Sequence, residues 1–352
     1  MAEKAPLRSP ALDFLRTLAL VLVLFRHYGN VPFLMDIGWV GVDIFFVLSG
    51  YLVSGILLRE WQKFVKLDMW RFWWRRSLKI LPPFYALLLL TLILQPIFKS
   101  EFIALSNRAF LSELFFIQNY DARIWNHTWS LAVEEHFYVI LLASYLLFRY
   151  WGSRVWLWIG CLSIAFCLGA RVWSIYANEA RFFVQGFQTH GRLDALFCGV
   201  LACLSESKLK TMFFERFKLA SHYLSACLLV LFISLLYHFS NKSAWTLSLG
   251  LGLYACLNAY FLLYLKHTWP QRFISHRFEK ACTFLSKRSY CIYLFHSAVL
   301  VFLMPWVESW FQNLLALNSF YWILSIVVGS LVYEVLEKPL LAWRDKRWPI
   351  NH

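Results

Sequence analysis

Long runs of apolar residues recur along the chain, separated by shorter charged or turn-rich stretches. A helix needs roughly 20 apolar residues to cross the hydrocarbon core of a membrane. The runs predict ten membrane helices, near residues 11–28, 38–58, 80–98, 129–148, 155–174, 190–205, 220–239, 245–265, 289–307 and 319–341. The connections leave no room for a soluble domain, so the pattern predicts one all-α, polytopic membrane domain over residues 1–352.

The positions of Lys and Arg orient the predicted helices, because cytoplasmic connections of membrane proteins carry an excess of these residues. If the N-terminus lies inside, the inner connections include the basic segments 59–79, 208–218 and 266–288. The outer connections then hold few cations, namely Lys99, Arg108, Arg123, Arg181 and Lys242. This asymmetry predicts that both termini lie on the cytoplasmic side.

The composition agrees with a membrane protein and excludes other classes. Of the 352 residues, 60% are hydrophobic, 19% aromatic and 15% charged, whereas soluble domains carry about 25% charged residues. A soluble enzyme, a disordered chain and a collagen-like fibre are therefore excluded. The net charge of +14 would suggest a nucleic-acid partner for a soluble protein. Here the cations follow the predicted topology, so we expect contacts with membrane lipids and no nucleic acid.

The cysteines give no sign of a metal or disulfide framework. The eight cysteines form no CxxC pair and show no spacing with histidine that is typical of zinc sites. We therefore expect no metal site and interpret the cysteines as small buried hydrophobic residues.

Ionisable residues within membrane helices are costly and often mark function. Asp13, Arg16 and His27 lie on one face of the first predicted helix, because eleven residues return to within about 20° of the same direction. In the predicted orientation His27 is near the outer surface, and Asp43 and Glu134 on two other helices lie at a similar depth. An imidazole paired with a carboxylate can act as a general base. The alternative is that each carboxylate only bonds a neighbouring helix.

A basic and aromatic stretch, residues 70–83, lies on the predicted inner side. It contains Arg71, Arg75, Arg76 and Lys79 among tryptophans. Guanidinium groups are well suited to bind phosphates, which suggests an anion site. The alternative is a topology signal whose tryptophans anchor the membrane interface, with Lys79 extending to that interface. Later charged residues in the predicted helices are interpreted as structural pairs between helices: Arg192, Asp194, His296, Glu334 and Glu337.

Taken together, these segments resemble the acyltransferase-3 family of membrane acyltransferases, which includes bacterial O-antigen and exopolysaccharide O-acetylases. Five motifs occur in the order in which that family carries them: Leu12–Arg16 with His27, Gly41 to Tyr51, Arg75–Arg76 followed by Pro82, Trp129 to Tyr138, and Tyr290 to His296 with Glu337–Pro339. The similarity extends from about residue 10 to residue 341. One departure is Lys79, which stands where the family's R-x-x-R loop has its second arginine.

The resemblance implies an acyltransferase (EC 2.3.1.-) in a bacterial inner membrane. It would move an acyl group, expected to be acetyl, from cytoplasmic acyl-CoA to a hydroxyl of a cell-envelope carbohydrate or lipid-linked glycan. Acyl-CoA would be a substrate, with no permanently bound cofactor. Many relatives also carry a secreted SGNH-type domain, which we expect this chain to lack.

The resemblance also implies roles for individual residues. His27 would be the catalytic residue, acting either as a general base or as an acyl carrier, with Asp43 or Glu134 orienting it. Arg16 would lie along the donor channel, and Arg75, Arg76 and Lys79 would hold the CoA phosphates. The rival hypothesis is a transporter or flippase for a lipid-linked sugar or anion. Such folds often contain inverted repeats, and the sequence shows no internal repeat.

Overall fold

A computed structural model describes residues 9–28, 31–177, 186–239, 243–270 and 274–349, and these residues form helices and connections without a strand. The helices are α1 (Pro10–His27), α2 (Pro32–Ile37), α3 (Val40–Phe64), α4 (Met69–Phe98), α5 (Asn107–Leu114), α6 (Trp129–Trp151), α7 (Arg154–Ala177), α8 (Leu193–Leu209), α9 (Lys218–His238), α10 (Leu251–Thr268), α11 (His276–Ala298), α12 (Met304–Val307), α13 (Leu314–Val332) and α14 (Lys338–Arg347).

The chain is an all-α, multi-pass membrane protein. Within the described ranges, eight helical segments are long and apolar enough to cross a membrane, and every predicted span coincides with a helix. The two remaining predicted spans correspond to α1, which carries Asp13, Arg16 and Arg26, and α8, which has 17 residues. The ten-span count and the orientation therefore stay predictions.

Helix α4 begins eleven residues before the predicted start of its span. The side chain of Asp68 accepts a hydrogen bond of 2.9 Å from the backbone N–H of Arg71, which caps the first turn. The basic stretch is thus helical and continues directly into the apolar run. The sequence predicted a start at residue 80 because the apolar run begins there, and capped, charged turns outside the membrane core are not part of that run.

The described residues divide into two compact units. The first unit contains residues up to 23, 36–58 and 143–287, and the second contains residues 24–35, 59–142 and those from 288 onward. Several helices therefore contribute one end to each unit. The prediction of a single domain over residues 1–352 stays a prediction.

In the first unit, α3 and α8 cross in backbone contact. A Cβ atom added to Gly50 would lie 1.8 Å from the carbonyl oxygen of Leu196, and one added to Gly199 would lie 2.1 Å from that of Val47. Small residues are what allow two membrane helices to approach this closely. The crossing therefore depends on glycine at both positions.

Two buried ion pairs lie in the first unit. Arg171 binds Asp194 at 2.6 Å, and Arg192 binds Asp43. All four side chains are buried, and their charges act on one another. We call these four residues the buried ion cluster. The interpretation of Arg192 and Asp194 as structural pairing residues is confirmed.

In the second unit, aromatic and aliphatic side chains form a continuous core that supports the start of α6 and the last turns of α11. The core residues are Phe84, Leu87, Leu88, Ile103, Ala109, Phe116, Ile124, Trp125, Leu131, Ala132, Leu294, Phe295, Ala298 and Phe302. Leu294 and Phe295 are neighbours of His296, and Trp125 precedes His127 by two residues. The core thus fixes the backbone on both sides of these histidines.

The surface of α7 carries large aromatic side chains near both of its ends. Trp158 is 64% exposed, and Trp173 and Tyr176 are 73% and 85% exposed. Exposed aromatic residues at the two ends of an apolar helix are typical of the interfaces between membrane and water.

Candidate active site

Three histidines meet in the second unit. The ring of His27, at the end of α1, lies 4.8 Å from that of His296, measured between centroids. The His296 ring lies 5.0 Å from that of His127. His127 and His296 are buried, whereas His27 is half-buried. His27 is therefore the least buried residue of this histidine cluster.

Backbone carbonyls define the tautomers of the two buried histidines. His127 donates from Nε2 to the carbonyl of Leu294 at 3.0 Å, and His296 donates from Nδ1 to the carbonyl of Tyr293. Because a carbonyl only accepts, the lone pairs of the neutral rings lie on Nδ1 of His127 and Nε2 of His296. The hydroxyl of Ser297 donates to Nε2 of His296 at 3.1 Å.

A second set of hydrogen bonds locks the start of α6 to α11. The Tyr293 hydroxyl donates to the carbonyl of His127 at 2.9 Å, and its oxygen lies 2.6 Å from the hydroxyl of Ser130. The His127 ring and the His127 carbonyl are thus both bonded to the same turn of α11. Two such bonds restrict the orientation of the imidazole.

Glu113, on α5 between the membrane spans, holds the turn that precedes His127. Its Oε1 accepts hydrogen bonds from the backbone N–H groups of Ile124 and Trp125, both at 3.1 Å, and from the Thr128 hydroxyl at 2.9 Å. Burial raises the pKa of Glu113 to about 7, against the hydrogen bonds from Trp125, Thr128 and Ile124 and the charge of Arg123, which lower it. Oε2 has no hydrogen-bond partner in the described ranges, so it is the oxygen that would carry the proton.

We expect the stability of the protein to fall with rising pH through the titration of Glu113. Its pKa is higher in the folded state than the ordinary value of 4.5, so the folded state binds this proton more tightly. The contribution is complete below pH 4.5 and is lost as the pH rises through about 7. It amounts to about 3 kcal/mol at most. Thermal unfolding in detergent between pH 5 and pH 8.5 would measure it.

Two substitutions separate the charge of Glu113 from its hydrogen bonds. Glu113→Gln keeps an acceptor oxygen and should remove that part of the pH dependence. Glu113→Ala leaves the buried N–H groups of Ile124 and Trp125 without an acceptor, whereas the Thr128 hydroxyl can still donate to the carbonyl of Trp125. Its free energy of unfolding should lie about 2 kcal/mol or more below that of Glu113→Gln at every pH. Equal pH profiles for wild type and Glu113→Gln would contradict this account of the titration.

The two predicted carboxylate partners of His27 differ in their surroundings. Glu134 is half-buried on α6 in the second unit, where its charge acts on Tyr293. It therefore lies in the neighbourhood of the histidine cluster. Asp43 belongs to the first unit, where it binds Arg192 in the buried ion cluster. Its proposed role in orienting His27 stays a prediction.

The predicted phosphate ligands on α4 have unequal surroundings. Arg75 binds Asp345 at 2.8 Å and donates to the carbonyl of Trp348, so much of its guanidinium is engaged with the end of the chain. The guanidinium of Arg76 lies 5.2 Å from the ring centroid of Tyr138. Its charge also acts on the carboxyl of Glu135, and its role in binding phosphate stays a prediction.

Lys79 and Arg16 have different neighbours. The charge of Lys79 acts on the buried carboxyl of Glu337, which accepts a hydrogen bond from the Cys291 thiol at 2.9 Å. Lys79 therefore has a structural role besides the predicted phosphate contact. Arg16 is half-buried on α1 in the first unit. Its place along a donor channel stays a prediction.

Sequence reasoning did not assign His127, His296 or Glu113 to the site. His127 precedes the Trp129–Tyr138 motif directly, and His296 closes the turn that begins at Tyr293, so both were visible as candidates. Their contact with His27 depends on packing between distant segments. Glu113 lies outside the predicted spans, where a carboxylate is ordinary and does not indicate a functional site.

In the part of the chain that the structure describes, no group of three His, Cys, Asp or Glu side chains is arranged to hold a metal ion.

Comparisons with known proteins show which sequences this chain is similar to. A protein of Staphylococcus aureus strain MRSA252 named "Putative O-acetyltransferase SAR0937" is 28% identical over 379 residues, which cover 97% of this chain and 59% of the relative. The O-acetyltransferase OatA of S. aureus strain NCTC 8325 is 26% identical over 356 residues, covering 96% of this chain and 56% of the relative. The chain thus spans less than two thirds of the length of these relatives. No solved structure matches.

The family itself is settled by the extent of the match. The sequence model described as "Acyltransferase domain" matches residues 9–335, which include all three members of the histidine cluster and the basic start of α4. The chain therefore belongs to the acyltransferase-3 family of membrane proteins.

Proposed function

We propose that the protein is a membrane O-acyltransferase, which moves an acetyl group from acyl-CoA to a hydroxyl of a cell-envelope carbohydrate. The observation that carries the proposal is the histidine cluster. It places His27, the least buried of the three histidines, beside two buried imidazoles whose neutral tautomers are fixed by carbonyls. The family membership and the names of the relatives support acyl transfer to oxygen.

In the reaction, the C–S bond of the thioester breaks and a C–O ester bond forms. As a general base, His27 takes the proton of the acceptor hydroxyl and returns it to the departing CoA thiolate. As an acyl carrier, His27 attacks the thioester itself, and the acceptor hydroxyl then displaces the imidazole. Both routes need a neutral imidazole nitrogen that is free to face the substrates.

The neighbouring histidines support either route through orientation. Because Nδ1 of His296 is bound to a carbonyl and Nε2 accepts from Ser297, the ring against which His27 packs is held in place. Groups held rigidly around a reacting side chain spare the cost of ordering it during the reaction. His296 and His127 are thus positioning residues in this proposal.

On the donor side, the start of α4 supplies the cations. In the predicted orientation this end of α4 faces the cytoplasm, where acyl-CoA is available, and His27 lies toward the outer surface. The thioester would reach His27 through the membrane domain. This arrangement supports a bacterial inner membrane as the location.

The test is turnover of labelled acetyl-CoA by the purified protein in lipid vesicles, with free CoA and acetylated carbohydrate measured separately. Release of one equivalent of CoA without acceptor would indicate an acyl-enzyme, whereas strict dependence on acceptor would indicate a general base. The absence of any turnover, together with movement of a lipid-linked sugar, would favour the transporter hypothesis and contradict the proposal.

The donor site leads to a prediction about Arg76 and Lys79. A charge-assisted contact contributes about 1.5–3 kcal/mol, so Arg76→Gln should raise the KM for acetyl-CoA about tenfold or more with little change in the KM for the acceptor. Lys79→Gln should do the same if Lys79 binds phosphate, and Lys79→Arg should keep donor binding. Initial rates at varied donor concentration would measure both.

A double variant separates the two roles of Lys79. If Lys79 serves mainly as the counter-charge of Glu337, the variant Lys79→Gln with Glu337→Gln should restore both the yield of folded protein and the donor KM. If Lys79 binds phosphate, the donor KM should stay raised in the double variant. An unchanged donor KM in Arg76→Gln would return the basic stretch to the role of a topology signal.

A further inference from the structure

Helix α13 carries a stripe of polar side chains in the second unit. Asn318, Tyr321 and Ser325 are only 2%, 0% and 0% exposed. Positions 318 and 325 are seven residues apart, so they lie on one face of the helix about 10 Å from each other. We call these three residues the polar stripe.

The polar stripe has hydrogen-bonding capacity that the protein does not use. Across the ranges that the structure describes, Nδ2 of Asn318 has no hydrogen-bond partner, and the hydroxyls of Tyr321 and Ser325 interact only with each other. Buried polar groups are nearly always hydrogen-bonded. The amide N–H groups of Asn318 and the second hydroxyl proton of the Tyr321–Ser325 pair have no acceptor in the described residues, and they point to a polar ligand on this face.

The polar stripe is next to the histidine cluster. The ring of Tyr321 lies 5.0 Å from that of Tyr28, the residue that follows His27. Trp322 donates from its indole N–H to the carbonyl of Tyr28 at 2.9 Å. The end of α1 that bears His27 is thus docked on the turn of α13 that bears Tyr321.

Ser325 lies close to the level of His296. A Cβ atom added to Gly329 would lie 2.5 Å from Cα of Ile292, so α13 and α11 are in backbone contact there. Ser325 is one turn before Gly329, and His296 is one turn after Ile292. Because α11 and α13 run antiparallel, Ser325 and His296 both lie about 6 Å along their helix axes from the Gly329–Ile292 contact, and on the same side of it.

We propose that the polar stripe binds the hydroxyl groups of the carbohydrate acceptor and presents one of them to His27. Hydroxyls and an amide, beside the aromatic rings of Tyr321 and Tyr28, provide the mixture of polar and apolar contacts that ligand sites use. In the predicted orientation the start of α13 lies on the outer side, opposite the cations of α4. The acceptor, rather than the donor, therefore reaches this face. The inference rests on the proposed function.

The experiment compares Asn318→Leu, Tyr321→Phe and Ser325→Ala with wild type in lipid vesicles. The acceptor is the carbohydrate fraction extracted from the producing cells, and the donor is labelled acetyl-CoA. Loss of one neutral hydrogen bond should raise the KM for the carbohydrate about 3- to 10-fold. The KM for acetyl-CoA and the release of CoA to water without carbohydrate should stay unchanged. Tyr321→Phe keeps the ring, so it tests the hydroxyl even if the other variants fold poorly.

Ser319→Ala is the matched control, because Ser319 is exposed on the same helix and its hydroxyl donates to the carbonyl of Leu315 at 2.8 Å. It should leave all these rates unchanged. A raised KM for acetyl-CoA in the stripe variants would assign the stripe to the donor, and unchanged kinetics would show that it binds neither substrate; both outcomes overturn the proposal. If wild type acetylates the carbohydrate and the stripe variants match it, this inference fails alone, whereas a wild type that releases no CoA or acetylates no carbohydrate contradicts the proposed function.

Discussion

Replacing His27 with alanine is expected to abolish acyl transfer while the protein still folds. General base catalysis contributes about 10²- to 10⁴-fold to a rate, and loss of an acyl carrier would remove the reaction altogether. His27 is half-buried, so alanine removes less packing than it would at the fully buried His296. Release of CoA from acetyl-CoA by protein of verified monodispersity and thermal stability would measure the effect.

A matched histidine controls for the loss of an imidazole as such. His222 is on α9 in the first unit and forms a hydrogen bond of 2.7 Å with Tyr264. His222→Ala should therefore change stability slightly and leave the rate intact. Near wild-type turnover by His27→Ala would remove His27 from the reaction, both as base and as carrier.

Substitution of Gly50 by alanine is expected to prevent normal folding of the first unit. The added Cβ would lie 1.8 Å from the carbonyl oxygen of Leu196, a distance that only separation of α3 and α8 can relieve. Overpacking a well-packed interior typically costs about 1–3 kcal/mol, and a clash with backbone belongs at the upper end. We expect a much lower yield of monodisperse protein and a lower Tm.

Gly169, on α7, is the control for this substitution. A Cβ atom there would meet nothing within 4 Å, and alanine favours helix over glycine by about 1 kcal/mol. Gly169→Ala should therefore be neutral or stabilising. A Gly50→Ala variant as stable as Gly169→Ala would contradict the described crossing of α3 and α8.

The sequence predicted the location of the helices well, because apolar runs follow directly from the thickness of the membrane core. It was less accurate at helix ends that carry charges. α4 begins at Met69 instead of residue 80, and α13 continues through a π-helical turn into α14. Caps and charged turns outside the membrane extend helices without adding apolar residues.

The site was only partly predictable, since its members come from distant parts of the chain. His27 was identified by its place on the charged face of the first helix and by a resemblance, whereas its contact with His296 depends on how α1 packs against α11. The pairing of Asp43 also depends on packing between distant segments. Its depth suggested a partner for His27, a role that stays a prediction, and the structure pairs it with Arg192, 149 residues away. Depth in the membrane can be read from a sequence, but the direction a side chain faces between several helices cannot.

The aromatic residues at the two ends of α7 have a consequence for the choice of membrane. Trp158 and Tyr176 are eighteen residues apart, so they lie about 27 Å from each other along the helix. This separation is a little less than the roughly 30 Å thickness of an average hydrocarbon core. Lipids with shorter acyl chains would match it best, and thicker bilayers would force the protein to thin its surroundings or sort into thinner regions. Acyl-chain length is therefore a physical variable on which the stability of the first unit depends.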